Sequence, residues 1–258
     1  QMGASATLNP GDAAIIEYNN ISSSGYVQSD GAMVQCMVGQ QPDVQIRYNW
    51  LHDSIKYGAR FDGDGDGSDG YIHHNVIWNV EGGIMVKGNN HSIYNNTVFD
   101  SVDKNDIIIM IEFGPGNVET ITANNAANKI AGHRIGTYND YPTPGLYQNN
   151  WNGYQTESNI KDLLVDPDNY NFSPIDESEL IESGTSVLDI VEGEDIGAYQ
   201  SGEPYWVPGI TWDVEQQFGL DFIITEGCMD ELACNYNENA MEDDESCEYA
   251  TENFDCDG

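Results

Sequence analysis

One short pattern recurs six times along the chain and limits its fold more than any other feature: an aliphatic residue, two variable residues, Asn, one variable residue, then an apolar residue. It reads IEYNNI at 16–21, IRYNWL at 46–51, IHHNVI at 72–77, IYNNTV at 93–98, ITANNA at 121–126 and LYQNNW at 146–151. The Asn residues fall at 19, 49, 75, 96, 124 and 149, so the period wanders between 21 and 30 residues. Helical repeats need longer segments of 3.6-residue periodicity, whereas short β-prone runs punctuated by Gly, Asn and Asp fit the coils of a solenoid. We therefore expect an all-β fold, a right-handed parallel β-helix, whose chain turns at each Asn, a residue that tolerates left-handed backbone geometry. Stacking brings these side chains into one ladder of amide hydrogen bonds, which is a structural role and not a binding one.

A second strand per coil is expected in YVQSD at 26–30, ARFD at 59–62, IMVK at 84–87 and IMIE at 109–112. Alternation turns Val27, Phe61, Ile84, Val86, Ile109 and Ile111 inward and Gln28, Arg60, Met85 and Met110 outward. It also leaves Asp30, Asp62, Lys87 and Glu112 in one exposed column, with neighbours about 4.8 Å apart.

With 44 acidic against 8 basic side chains the formal net charge is −36, and no Lys or Arg follows Lys161. Such a surface repels nucleic acid and anionic lipid, which need cations to bind, and suits a salty medium or divalent cations. The sequence contains no apolar run long enough to span a membrane. Cys228, Cys234, Cys247 and Cys256 lie within the last 31 residues, a segment too polar to build a core. They read as a two-disulfide staple made in an oxidising, extracellular compartment; zinc is disfavoured because the segment has neither His nor a C-x-x-C pair. Cys36, alone in the first part, reads as a buried apolar residue.

The Asn-turn repeats, the stretch GGIMVKGNNHSIYNNTVFD, the closing LLVDPDNYNFSPIDESELIESGT and DIGAYQ at 195–200 resemble bacterial right-handed β-helix proteins of the pectate-lyase-like superfamily, over about residues 15–208. That resemblance implies the fold and a bias toward polysaccharides, without one activity. From Gly227 the C-x5-C-x12-C-x8-C spacing and the DDESC run resemble an acidic four-cysteine repeat of large secreted proteins of marine Bacteroidetes. In that family the repeat usually continues further, which implies that this chain is part of a larger surface polypeptide. The expected organisation is a β-helix over 1–208 with a closing coil from about 161, a linker over 209–226 and the acidic Cys-rich repeat over 227–258.

Two places could carry chemistry. In FDGDGDGSDG at 61–70, Asp62, Asp64, Asp66 and Asp69 surround a tight turn, an oxygen-rich setting suited to Ca²⁺, although the twelfth loop position is His73 and not Glu, which excludes an EF-hand. In the tail, Asp230, Glu231, Glu238, Glu242, Asp243, Asp244 and Glu245 are either further calcium ligands or a solvated charge run. The second place is the column of Asp62, Lys87 and Glu112. It is either a surface charge ladder or, as the resemblance to β-helix polysaccharide lyases implies, a catalytic groove. In that groove Lys87 would take the proton beside a uronate carboxylate, Arg60 would grip the sugar acid, and Asp62, Asp64 and Asp66 would hold calcium. An ammonium between carboxylates is favoured in its charged form, which opposes base work. Pairing Asp62 with Glu112 for hydrolysis is an alternative.

His73, His74 and Tyr94 are candidate glycan contacts on the coil turns, with His73 facing outward in a column with Glu17, Arg47 and Tyr94. His52 and His91 sit on neighbouring turns, and Trp206 is placed to cover the last coil. The function expected is extracellular binding or cleavage of a cell-surface polysaccharide, with a calcium-assisted lyase as its enzymatic form. The alternative is a non-catalytic structural or adhesive module.

Overall fold

Strands of two to five residues are too short to stand alone, so each must draw its hydrogen bonds from the coils above and below. The computed structural model describes residues 6–63, 66–111, 116–156, 158–188, 191, 195–209, 228, 230, 233–236 and 246–249. The chain is a parallel β-helix built of three sheets with six strands each. Sheet I stacks Ala6–Leu8, Ala32–Cys36, Tyr57–Phe61, Gly82–Val86, Ile107–Ile109 and Ile130–Ala131. Sheet II stacks Ile15–Glu17, Gln45–Arg47, Tyr71–His73, Ser92–Tyr94, Ile121–Ala123 and Leu146–Gln148. Sheet III stacks Asn20–Ser22, Trp50–His52, Val76–Trp78, Thr97–Phe99, Ala126–Ala127 and Trp151–Asn152.

The interior is filled in columns, because parallel pairing sets like side chains over one another. Ile16, Ile46, Ile72 and Ile93 form one column, Leu51, Ile77 and Val98 another, and Val34, Ala59, Ile84 and Ile107 a third. Nearly all are fully buried, and each aliphatic side chain of this kind contributes about 1.5–3 kcal/mol on burial.

The Asn ladder runs between sheets II and III through Asn19, Asn49, Asn75, Asn96, Asn125 and Asn150. Each amide nitrogen donates to the next amide oxygen at 2.9–3.0 Å, and that oxygen also accepts the backbone N–H of the rung below. The last two rungs thus differ from the expected Asn124 and Asn149. Both copies carry adjacent asparagines, so the motif can be written in two registers. A slip of one residue turns every side chain to the other face: Thr122 and Tyr147, not Ile121 and Leu146, pair with the Ile93 column. The left-handed residue is also not the rung itself but the one before it, with φ of 49–54° at Tyr18, Tyr48, His74, Asn95, Asn124 and Asn149.

Sheet I corrects the second-strand expectation. The strand near the expected 26–30 is Ala32–Cys36, the second of the sheet, and Val27 is 80% exposed. Ile84 pairs with Ile107 and Val86 with Ile109, two residues out of the expected alignment. A shift of two preserves faces, so Phe61, Ile84, Val86 and Ile109 do point inward, but it changes which residues stack.

Outside the coils, the described residues between Ser183 and Gly209 bond to the last coil first and to the first coil last. Asn149 and Asn124 donate to the carbonyls of Ser183 and Thr185, and Asn95 to that of Asp195. Ala198 N–H donates to Thr97 Oγ1, Trp50 Nε1 to the Tyr199 hydroxyl, and Gly209 N–H to the Tyr18 carbonyl. Asp195, fully buried, accepts the backbone N–H groups of Glu182 and Ser201. The outer face of sheet III is covered by Tyr170 and Phe172, packed on Trp50, Trp78 and Phe99.

Residues 212–258 form a separate compact unit. In it Cys228 is bonded to Cys247 and Cys234 is likewise disulfide-bonded. Cys256, most of the acidic tail and positions 210–226 of the expected linker lie outside the described residues.

Candidate functional site

Stacking at the end of the sheet I strands decides the fate of the charged column. Asp62 N–H bonds the Cys36 carbonyl, Lys87 N–H that of Phe61, and Met110 N–H that of Val86. The column is therefore Met37, Asp62, Lys87, Met110. Asp30 precedes the Ala32–Cys36 strand, and Glu112, two residues past Met110, lies outside the described residues. The Asp62 carboxylate accepts Arg60 at 2.5 Å, Lys87 Nζ at 2.8 Å and the Gly63 N–H at 3.0 Å. Arg60 also reaches Asp30 at 3.3 Å and lies over the Tyr57 ring.

This is not the open groove expected. The side chains of Arg60, Asp62 and Lys87 are only 10, 13 and 17% exposed, and outward-facing Met85 and Met110 are buried with Tyr57 and Ile108. Arg134 covers Met85, its guanidinium 3.9 Å from the Met85 sulfur, and Asn105 holds that loop through the carbonyls of His133 and Gly136. Arg60 and Lys87 are thus brought together, but around Asp62 and not around space for a sugar acid.

The calcium ligands expected at 62–69 are not converged in the described residues. Asp62 is engaged by two cations, Asp66 is exposed, and Asp64 lies outside the described residues. Asp69 accepts the Ser68 hydroxyl and the Asn90 amide, its backbone left-handed at φ 60°. Among the described residues no group of three His, Cys, Asp or Glu side chains is placed to hold a metal ion.

His52, His73, His74 and His91 are packed, not displayed. His73 does stack with Glu17, Arg47 and Tyr94 in register, but it is 6% exposed, its ring 4.6 Å from that of Tyr94. Its Nδ1 lies 2.9 Å from Nδ1 of His74, whose ring stacks on Tyr48. Burial, with neighbouring His74 and Arg47, holds His73 down to about 2, and burial with Arg47 holds His74 down to about 4. Trp206 stands edge-on to Tyr18 and Tyr48 and so caps the first coils, not the last. His91, fully buried, accepts the Gly70 N–H at Nδ1, so its Nε2 carries the proton toward the Lys87 carbonyl. His52 stacks on Trp78 at 4.1 Å. These rings support turns and leave little surface for a ligand.

An open concavity lies instead where the coils turn from sheet III to sheet I, in a cleft of about 570 Å³. Tyr26, Ile55 and Val102, each at least 46% exposed, supply apolar surface. Asp53, Glu81 and Asp103 come from three successive coils and place carboxylates along it. Asn79 donates to Asp53 at 2.5 Å, and this bond together with the His52 contact holds the Asp53 carboxyl below its ordinary value against the opposing effect of burial. Glu81 is raised by burial, with Asp103 and Asp30 adding to the effect. Alternation alone hides this site by placing Tyr26 and Val27 in a strand; its signal is the SSGY and DSI runs, which lack the alternation of their neighbours.

No family model, no curated protein and no solved structure matches this chain.

Proposed function

We propose that this chain is an extracellular glycan-binding β-helix that holds its ligand without cleaving it. The observation that carries the reading is the turn cleft, where an exposed tyrosine and two aliphatic side chains lie beside hydrogen-bonding carboxylates and an amide. Sugar rings offer both an apolar C–H face for an aromatic ring and hydroxyl groups for such acceptors. The resemblance to secreted β-helix proteins supports a polysaccharide ligand, and the disulfide of the second unit supports an oxidising exterior. Against the lyase form stands the Lys87–Asp62 ion pair under a covered sheet face.

A second reading, a rigid spacer in a surface protein, is favoured by the closing segment that ties the coils together. A panel of neutral, amino and uronate oligosaccharides, read by calorimetry and by absorbance of unsaturated products with and without EDTA, separates the readings. We expect heat of binding, no unsaturated product, and loss of binding in Tyr26→Ala. Product formation lost in Lys87→Ala restores the lyase; no binding to any glycan leaves the spacer.

A further inference from the structure

Resting on that glycan reading, we propose that the turn cleft selects sugars carrying a free amine, so that its ligand is a cationic amino-sugar polymer and not a uronate. The argument is one of charge and placement. Three of the cleft's side chains are carboxylates, and none of those that line it is Lys, Arg or His. They belong to successive coils but to different positions along the turn, with Asp53 stacked on Asn79 and Glu81 next to the Gly82–Tyr57 pair, so the negative charges form a staggered row up the cleft. A uronate chain would set its own carboxylates against this row, which costs free energy in a partly desolvated site. An amine would place a donor and a positive charge where the row lacks both.

The cations nearby lie outside the residues that line the cleft, although Lys56, Lys104 and Arg134 all interact with Glu81. Lys56 is fully buried, its ammonium donating to Gln28 Oε1 at 2.7 Å and to the Asp30 carbonyl at 2.5 Å. Lys104 and Arg134 act on Glu81 from outside the lining, yet burial and the neighbouring Asp103 and Asp30 still leave its carboxyl above the usual range. Glu81 is therefore a carboxylate whose charged form a bound ammonium would stabilise. The apolar part of the wall completes the fit: Tyr26 at 54% and Val102 at 70% exposure offer surface to the face of a sugar ring while the carboxylates meet its amine. The rest of the charge, −36 in all, would draw any polycation toward the protein, so the test must separate the cleft from the general field.

The experiment titrates the full chain with glucosamine oligomers, their N-acetylated counterparts and oligogalacturonate in physiological salt. We expect the glucosamine oligomer to bind at least about tenfold more tightly than the acetylated one, and Glu81→Gln and Asp103→Asn each to weaken it by about tenfold. The exposed pair Asp12→Asn with Asp176→Asn, outside the cleft, should leave the affinity unchanged. Equal affinity for the acetylated and free-amine oligomers, or an equal loss in the Asp12/Asp176 control, overturns the selectivity while leaving glycan binding standing. Failure of all three oligomers to bind overturns the glycan reading itself. Tighter binding of oligogalacturonate reverses the inference.

Discussion

Replacing Asn75 by alanine tests whether the amide ladder holds the coils in the way its geometry implies. Asn75 is fully buried, and its nitrogen donates to the carbonyls of Ile46 and His73 and to Asn96 Oδ1 at 2.8, 2.9 and 3.0 Å. Its oxygen accepts both the backbone N–H and the side-chain amide of Asn49. Truncation leaves different neighbours in different states. The Asn49 amide still reaches the Ile16 and Arg47 carbonyls, and Asn96 Oδ1 still accepts the backbone N–H of residue 75. What is stranded is the backbone N–H of Asn49, with two carbonyls partly deprived. One stranded buried group costs about 1–3 kcal/mol and the two weakened ones about 1 kcal/mol each, so Asn75→Ala should lose about 3–5 kcal/mol.

Asn19 provides the internal control. It donates to the Glu17 carbonyl and to Asn49 Oδ1, and the latter keeps the Asn19 backbone N–H when the side chain is removed. Asn19→Ala should therefore cost about 1 kcal/mol or less. Urea unfolding followed by far-ultraviolet circular dichroism reads both. Equal losses at the two rungs, within about 0.5 kcal/mol, would refute the ladder as a directional network of backbone acceptors.

Acid should destabilise the β-helix well before most of its carboxylates protonate. His73, held down to about 2, and His74 and His91, held down to about 4, stay neutral when folded, so from about pH 6.5 toward 4 the unfolded chain binds more protons and stability falls as pH falls. Asp106, pushed up by burial to about 6, takes up its proton earlier in the folded state and offsets about one of these. A net uptake of about two protons on unfolding near pH 5 should appear as a falling urea midpoint between pH 7 and 5; a flat or rising one contradicts the assignment. Gly197→Ala places a methyl at φ +106° and 2.9 Å from Thr97 Oγ1, the same oxygen that accepts the Ala198 N–H. Amide exchange should quicken over 195–200 and stay slow in the central strands, and uniform protection would argue against the strain. Reduction with dithiothreitol should open the unit holding Cys228–Cys247 and leave the β-sheet dichroism of residues 6–209 intact; loss of both signals would mean that the units do not fold separately.

The sequence carried the architecture because a solenoid repeats its constraints, and a pattern seen several times survives an error in any one copy. Its register was less legible. Alternation of period two cannot tell Ile109 opposite Ile84 from Ile109 opposite Val86, and that offset set Met110 in the stack over Lys87. Adjacent asparagines hid the one-residue slip at Asn125 and Asn150 in the same way. The fate of the histidines was set by residues far along the chain: Trp206 packs beside Tyr18 and Tyr48, a contact that no local pattern announces. The cleft depended on turns, whose side chains follow no period at all.

The closing segment changes what kind of object the stack is. Coils that touch only their neighbours can peel from either end one at a time. Here the chain that leaves the last coil is bonded at Asn149, crosses Asn124, Thr97 and Trp50, and ends on the carbonyl of Tyr18 in the first. The row becomes a closed circuit, and fraying at one end must also loosen contacts held at the other. During synthesis this circuit closes only when residues near 209 emerge, so shorter nascent chains should remain open at their first coil until the final contact is made.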